Sequence, residues 1–296
     1  MSDNGSLFND DDLFGSAEPV VRETRQPEAE SAPYAARYSN SRIKPISLDG
    51  LNPMQREAAE HVDGPLLVVA GAGSGKTRVL THRIAHLISN HGVSPMNILA
   101  ITFTNKAAGE MKHRVESLIG PVAKSMWVST FHSACVRILR VHAERIGYPK
   151  TFSIYDQADA QRLTGYVIRD MGLDPKKFPA GASQSRISLW KNELVFPAKA
   201  FDSAEHVAAR RHAEIYREYQ ARLVRAGAMD FDDLLVNVVR LFELHPAVLQ
   251  QFQQRFKHIL IDEYQDTNQA QNRIVLLLGQ QHKNVCVVGD SDQSRS

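Results

Sequence analysis

The chain has 296 residues, of which 43% are hydrophobic and 23% charged, the proportions of a globular protein with enough material for one large domain or two smaller ones. No apolar run approaches the roughly 20 residues needed to span a bilayer, and neither a secretory leader nor an Arg-rich transit peptide precedes the body, so the expected compartment is the cytoplasm. The net charge of +2 divides unevenly: residues 1–30 hold eight acids against two arginines, a balance of −6, which leaves +8 on residues 31–296, an acidic tail on a body whose charge suits a nucleic-acid partner and equally a plain soluble surface.

Residues 1–46 are rich in Asp, Glu, Ser, Pro, Ala and Asn and show neither helical nor strand period, so they read as a disordered tail. Within it, Leu7-Phe8 and Leu13-Phe14 bracket Asp10-Asp11-Asp12, the pattern of a short docking motif for a protein partner as well as of a plain solubilising tail. From Ser47 onward, short apolar runs alternate with longer amphipathic segments, the mark of an α/β body around a mostly parallel sheet. The expected strands are Pro65–Ala70, Ile98–Phe103, Met126–Thr130, His258–Asp262 and Val285–Gly289, runs suited to burial on both faces. Between Cys135 and Gly227 helical period takes over, in Val136–Ile146, Asp159–Met171, Ser185–Leu194 and Ala204–Ala226. The expected organisation is therefore a tail (1–46), a split αβ domain (47–134 and 228–296) and a helical insertion (135–227). Cys135 and Cys286 lie far apart and form no metal-binding pair; both read as buried thiols.

Ala70-Gly71-Ala72-Gly73-Ser74-Gly75-Lys76-Thr77 follows the first apolar run and opens a helical pattern, the setting a phosphate loop requires. Small residues let backbone amides turn toward the phosphates of ATP, Lys76 bridges those phosphates, and the Thr77 hydroxyl is a ligand for Mg²⁺. The second piece is Ile259-Leu260-Ile261-Asp262-Glu263: Asp262 is the candidate second metal ligand and Glu263 the candidate base that polarises the attacking water. The third is Val285-Cys286-Val287-Val288-Gly289-Asp290 followed by Ser291-Asp292-Gln293, in which Gln293 is the candidate sensor of the terminal phosphate.

These motifs, in this order, resemble the N-terminal part of superfamily 1 DNA helicases of the UvrD/PcrA/Rep type. The resemblance begins at Leu51-Asn52-Pro53-Met54-Gln55-Arg56-Glu57-Ala58, similar to the family's Q motif, and includes Asp262-Glu263-Tyr264-Gln265-Asp266-Thr267, similar to its magnesium motif. It implies a RecA-like nucleotide-binding fold, adenine recognition by Gln55, and a coupling role for Gln265 and Asp266 beside the nucleotide. It also implies single-stranded DNA contacts at Thr102-Phe103-Thr104-Asn105-Lys106 and Thr130-Phe131-His132, with Phe103 and His132 as stacking faces. Met229-Asp230-Phe231-Asp232-Asp233-Leu234 resembles a further family segment, and its acids equally suit the start of a helix.

The activity implied is ATP-driven 3′ to 5′ translocation and unwinding of DNA in repair or replication, in the bacterial cytoplasm or nucleoid. In the family a Tyr/Arg-containing segment and a second motor domain would follow Gln293-Ser294; here Arg295 and Ser296 follow. The expectation for this chain is one half-site: ATP and Mg²⁺ binding in weakened form, feeble hydrolysis and no processive unwinding. The competing readings are a non-enzymatic DNA- or partner-binding module and the N-terminal part of a RecB/AddA-like helicase–nuclease.

Overall fold

The computed structural model describes residues 43–71 and 73–290. The expected docking motif and most of the acidic tail, together with Ala72 and Gln293, lie outside the described residues. Helix α1 (Pro53–Glu60) leads to strand β1 (Leu66–Val69), after which α2 (Lys76–Ser89), β2 (Ile98–Thr102), α3 (Asn105–Ile119), β3 (Trp127–Thr130) and α4 (Phe131–His142) alternate. A mostly helical stretch follows, with β4 (Ser153–Tyr155), α5 (Gln157–Asp170), α6 (Ala180–Asn192), α7 (Pro197–Asp202), α8 (Val207–Arg225) and β5 (Ala228–Asp230). The chain then returns through α9 (Phe231–Leu244), α10 (Pro246–Arg255), β6 (His258–Ile261), α11 (Gln269–Gly279) and β7 (Val285–Gly289).

Five strands form one parallel sheet in the order β1-β7-β6-β2-β3. Its central strands β2 and β6 are buried along their whole length, because helices cover both faces and successive side chains alternate between them. Ile98 and Ala100 of β2 and Leu260 of β6 pack with Leu80, Ile84 and Leu87 of α2 and Met111 and Val115 of α3. Their neighbours Leu99, Ile101, Ile259 and Ile261 pack on the opposite face, against α4, α9 and α11. Strand β1 departs from burial on both faces: it lies at the sheet edge, and Leu67 and Val69 are 65% and 56% exposed.

Every expected strand of this sheet is present. The expected helix Ala204–Ala226 is present as α8, with the short helix α7 before it. One feature differs from the sequence reading: β4 and β5 form a separate two-stranded parallel sheet with Ile154 opposite Met229. Helices α5 to α8 enclose their own core, which includes Val167, Ile187, Tyr216, Tyr219 and Leu223. Cys135, Ile138 and Leu139 of α4 instead face the sheet core. Both cysteines are buried and unpaired, and among the described residues no helix is long and apolar enough to cross a membrane.

Candidate nucleotide site and nucleic-acid interface

All five parallel strands deliver their carboxyl ends to one edge of the sheet, where open α/β folds bind their ligands. After β1, the chain turns through Gly73 (φ +76°) and Gly75 (φ +85°) into α2. These left-handed conformations favour glycine. A Cβ on Gly75 would lie 2.9 Å from Gln55 Nε2 and would displace that amide. Gln55 is clipped onto the loop: its Nε2 donates to the Ser74 carbonyl at 2.9 Å, and its Oε1 accepts from the Asn52 amide at 3.2 Å in the capping box of α1. The sequence therefore folds α1 so that its first turn braces the phosphate loop.

Lys76 begins α2 and donates to Asp290 Oδ2 at 3.1 Å, with the two side chains 17% and 12% exposed. The Thr77 hydroxyl donates to Asp262 Oδ2 at 3.3 Å. One hydroxyl and one carboxylate facing each other beside a lysine suit Mg²⁺, a hard cation that keeps several waters and takes its remaining oxygens from phosphates. Burial raises the Asp262 carboxyl above the ordinary carboxylate range, against the lowering effects of the Glu263 amide, Thr77 and Lys76. Glu263 is raised as well, by burial and then by its acidic neighbours Asp262 and Asp266. Its backbone is left-handed at φ +54°, a conformation costly for a residue with a Cβ and concentrated at functional sites. Gln265 lies across the site floor: its Oε1 accepts from the Asp290 amide at 3.1 Å and its Nε2 donates to Asp266 at 3.1 Å. Ala70 and Gly289 are joined by a backbone hydrogen bond of 3.1 Å. Gly71, Ser74 and the residues just named thus converge from the ends of β1, β7 and β6.

The other half of the same edge carries the expected DNA residues. Thr102 and Thr130 are paired in register at the ends of β2 and β3. Phe103 is 62% exposed, and Asn105 and Lys106 open α3, also exposed. Thr130 caps α4 and donates to Ser133 Oγ at 3.0 Å, while Ser133 donates to Asn105 Oδ1 at 3.3 Å, tying the two helix starts together. Two expected contacts turn inward. Thr102 is 2% exposed and its hydroxyl donates to the Thr104 carbonyl; Phe131 is 9% exposed and packs in the sheet core. Each sits where the strand or first helical turn faces the interior.

His132 stays at the surface of the cleft and meets Phe231 edge to face, with ring centroids 6.0 Å apart. Burial lowers the His132 imidazole below its usual range, and Asp232 opposes that shift. Phe231, 48% exposed, lines one cleft with Phe103, Asn105, Thr130 and His132. The segment around it was visible in the sequence, but its place beside Phe103 depends on α9 packing against α4, which no local pattern encodes.

The sequence matches the UvrD/REP helicase N-terminal domain family over residues 51–294. It is 51% identical over 247 residues to the ATP-dependent DNA helicase PcrA of Bacillus subtilis (strain 168), covering 83% of this chain and 33% of that protein. The same identity and length hold for the ATP-dependent DNA helicase PcrA of Staphylococcus aureus (strain Mu50 / ATCC 700699), with 34% of that protein covered. The Staphylococcus epidermidis protein of that name is 51% identical over 244 residues, 82% of this chain and 34% of its own. The chain thus spans about a third of the length of these curated relatives. With motifs, fold and family match in agreement, the chain belongs to the UvrD/REP helicase N-terminal domain family.

Proposed function

We propose that this chain is the ATP-binding half of a motor that moves 3′ to 5′ along single-stranded DNA in repair or replication, working in the cytoplasm or nucleoid. The observation that carries the reading is the division of one sheet edge. The candidate nucleotide residues follow β1, β7 and β6, the candidate DNA residues follow β2 and β3, and β6 is hydrogen-bonded directly to β2. Residues 47–134 and 228–296 are proposed as the motor half and 135–227 as its insertion.

In this reading the loop amides and Lys76 hold the phosphates of ATP, with Gln55 bracing the loop and reading the adenine. Thr77 and Asp262 hold Mg²⁺, which when bound neutralises phosphate charge. Glu263 accepts the proton of the attacking water, and Gln265 and Asp266 connect this carboxylate to the loop after β7. Gln293 is proposed as the sensor of the terminal phosphate. Phe103, His132 and Phe231 offer ring faces to bases, and Asn105 and Lys106 hold the backbone. The basic body favours a polyanion, and the acidic tail is proposed as the contact for a protein partner.

The test is ATP-analogue binding and ATP hydrolysis by this chain in Mg²⁺, with and without single-stranded DNA. Lys76→Ala should weaken analogue binding by about tenfold or more, the loss of a charge-assisted contact. Glu263→Gln should keep binding and lower the already slow turnover by roughly 10²-fold or more, the range for removing a general base. Failure of the unaltered chain to bind the analogue, or turnover indifferent to both substitutions, would refute the reading.

A further inference from the structure

The end of α6 enters the motor half at a point between the two halves of the site. Lys191 is 1% exposed, and its ammonium lies 2.7 Å from Asp230 and 2.8 Å from Asp233. Asn192, the next residue, is fully engaged by its amide group. Its Oδ1 accepts from Asn268 Nδ2 at 2.7 Å, and its Nδ2 donates to Asp232 Oδ1 at 3.2 Å and to Ser188 Oγ at 3.3 Å.

What Asn192 joins gives this contact its meaning. Asn268 caps α11 through its Oδ1, which accepts from the Gln271 amide, and a single 3-10 turn, Tyr264–Asp266, separates it from Asp262 and Glu263. Asp232 follows Phe231, whose ring meets His132. Two side-chain hydrogen bonds through Asn192 therefore join Asn268, on the segment that follows Asp262 and Glu263, to Asp232, the chain neighbour of Phe231 in the aromatic pair. The burial of the adjacent Lys191 ion pairs fixes the depth at which α6 docks, so Asn192 has little freedom to slide. A displacement of Asn268 must either carry Asp232 with it or break a partly buried hydrogen bond, the kind of contact that transmits position between two sites.

We propose that Asn192 is a positioning residue that makes the DNA affinity of the Phe231–His132 side respond to the nucleotide held at Asp262 and Glu263, an inference that rests on the function proposed above. Neither end needs the relay for its own chemistry, because Asn192 touches neither the phosphate loop nor the exposed ring faces. Its loss uncouples the two ligands while each still binds.

The experiment is fluorescence anisotropy of a dye-labelled oligo(dT) strand with this chain, in Mg²⁺, with and without a non-hydrolysable ATP analogue. The analogue should change the DNA dissociation constant by about fivefold or more, a typical coupling. N192D sets two carboxylates against each other and should bring that ratio below about twofold. Combining it with D232N restores an amide-to-carboxylate hydrogen bond and should recover the ratio, a rescue that general loosening would not produce. N268S keeps a good helix cap but removes the donor to Asn192, and should lose the ratio while its melting temperature stays with the parent. A ratio retained in N268S, or a ratio of one in the unaltered chain, overturns the relay. Absence of DNA binding in the unaltered chain, or of analogue binding, instead fails the functional reading itself.

Discussion

Lys76 and His258 show how single residues depend on what faces them. Lys76 is held by Asp290 at 3.1 Å, so in the proposed function an incoming phosphate would exchange one anionic partner of the lysine for another. His258, at the opposite end of β6, is 7% exposed, and its Nδ1 has no hydrogen-bond partner. Burial, then the nearby Arg83 and His282, lower its imidazole to about 4, against the pull of Asp63. The unfolded chain binds this proton below about 6.5, whereas the folded one excludes it until about 4. Stability therefore falls as pH drops through that window and is unaffected by this group above it. His86, His132, His142 and His282 are also lowered, chiefly by burial, and add to the same slope. Asp233, raised to about 6 by burial and by Asp230, acts with the opposite sign. Urea unfolding across this pH range should show His258→Asn taking up about one proton fewer on unfolding than the parent. An unchanged slope would mean that the native ring is already charged.

At the scale of elements, the end of α11 packs tightly on the start of β7. A Cβ on Gly279 would lie 2.5 Å from Val285 Cγ2, and Val285 is β-branched, with little rotamer freedom to move aside. Gly279→Ala should cost about 1–3 kcal/mol, the range for overpacking. Val285→Ala combined with it should recover much of that loss, giving a non-additive cycle in urea unfolding; additive costs would show that α11 shifts freely. The sequence made the large sheet legible because buried parallel strands are uninterrupted apolar runs bounded by turn residues, as in Ile98–Thr102 and Val285–Gly289. The phosphate loop was legible because its residue types are fixed by backbone chemistry at one point of the chain. Ser153–Tyr155 and Ala228–Asp230 left no such trace: each strand has three residues, and the pair forms between distant segments. Lys191 is a buried cation only because α6 packs against α9. Phe131 and His132 are adjacent in sequence, yet the first turn of α4 sends one ring into the core and leaves the other in the cleft.

At the scale of the whole molecule, two of the apolar cores among the described residues meet at β5, where Ala228 packs with the α5–α8 core and Met229 with the core on the α4–α9–α11 face of the sheet. Asp230, the last residue of that strand, accepts from the Tyr219 hydroxyl at 2.7 Å and from Lys191 at 2.7 Å, and Asp233 accepts from Gln220 at 3.1 Å. Burial alone would lower the Lys191 ammonium; Asp230 and Asp233 more than offset it and raise it well above its usual value. Such a cluster ties two cores into one cooperative unit, because pulling them apart leaves two carboxylates buried without their cation. The two tryptophans of the chain report on one core each. Trp127 lies in the sheet core, with the Arg137 guanidinium carbon 4.1 Å from its ring centroid, and Trp190 stacks on Tyr216 at 5.8 Å. With Trp190→Phe and Trp127→Phe as separate single-tryptophan backgrounds, urea titrations should give the same midpoint from both probes. Adding Lys191→Met to each should destabilise the α5–α8 core by about 3–5 kcal/mol, the cost of breaking a buried pair. The Trp190 transition should then precede that of Trp127. Coincident transitions in the Lys191→Met pair would show that the β4–β5 pairing and apolar contact at Met229 hold the cores together without the ionic cluster.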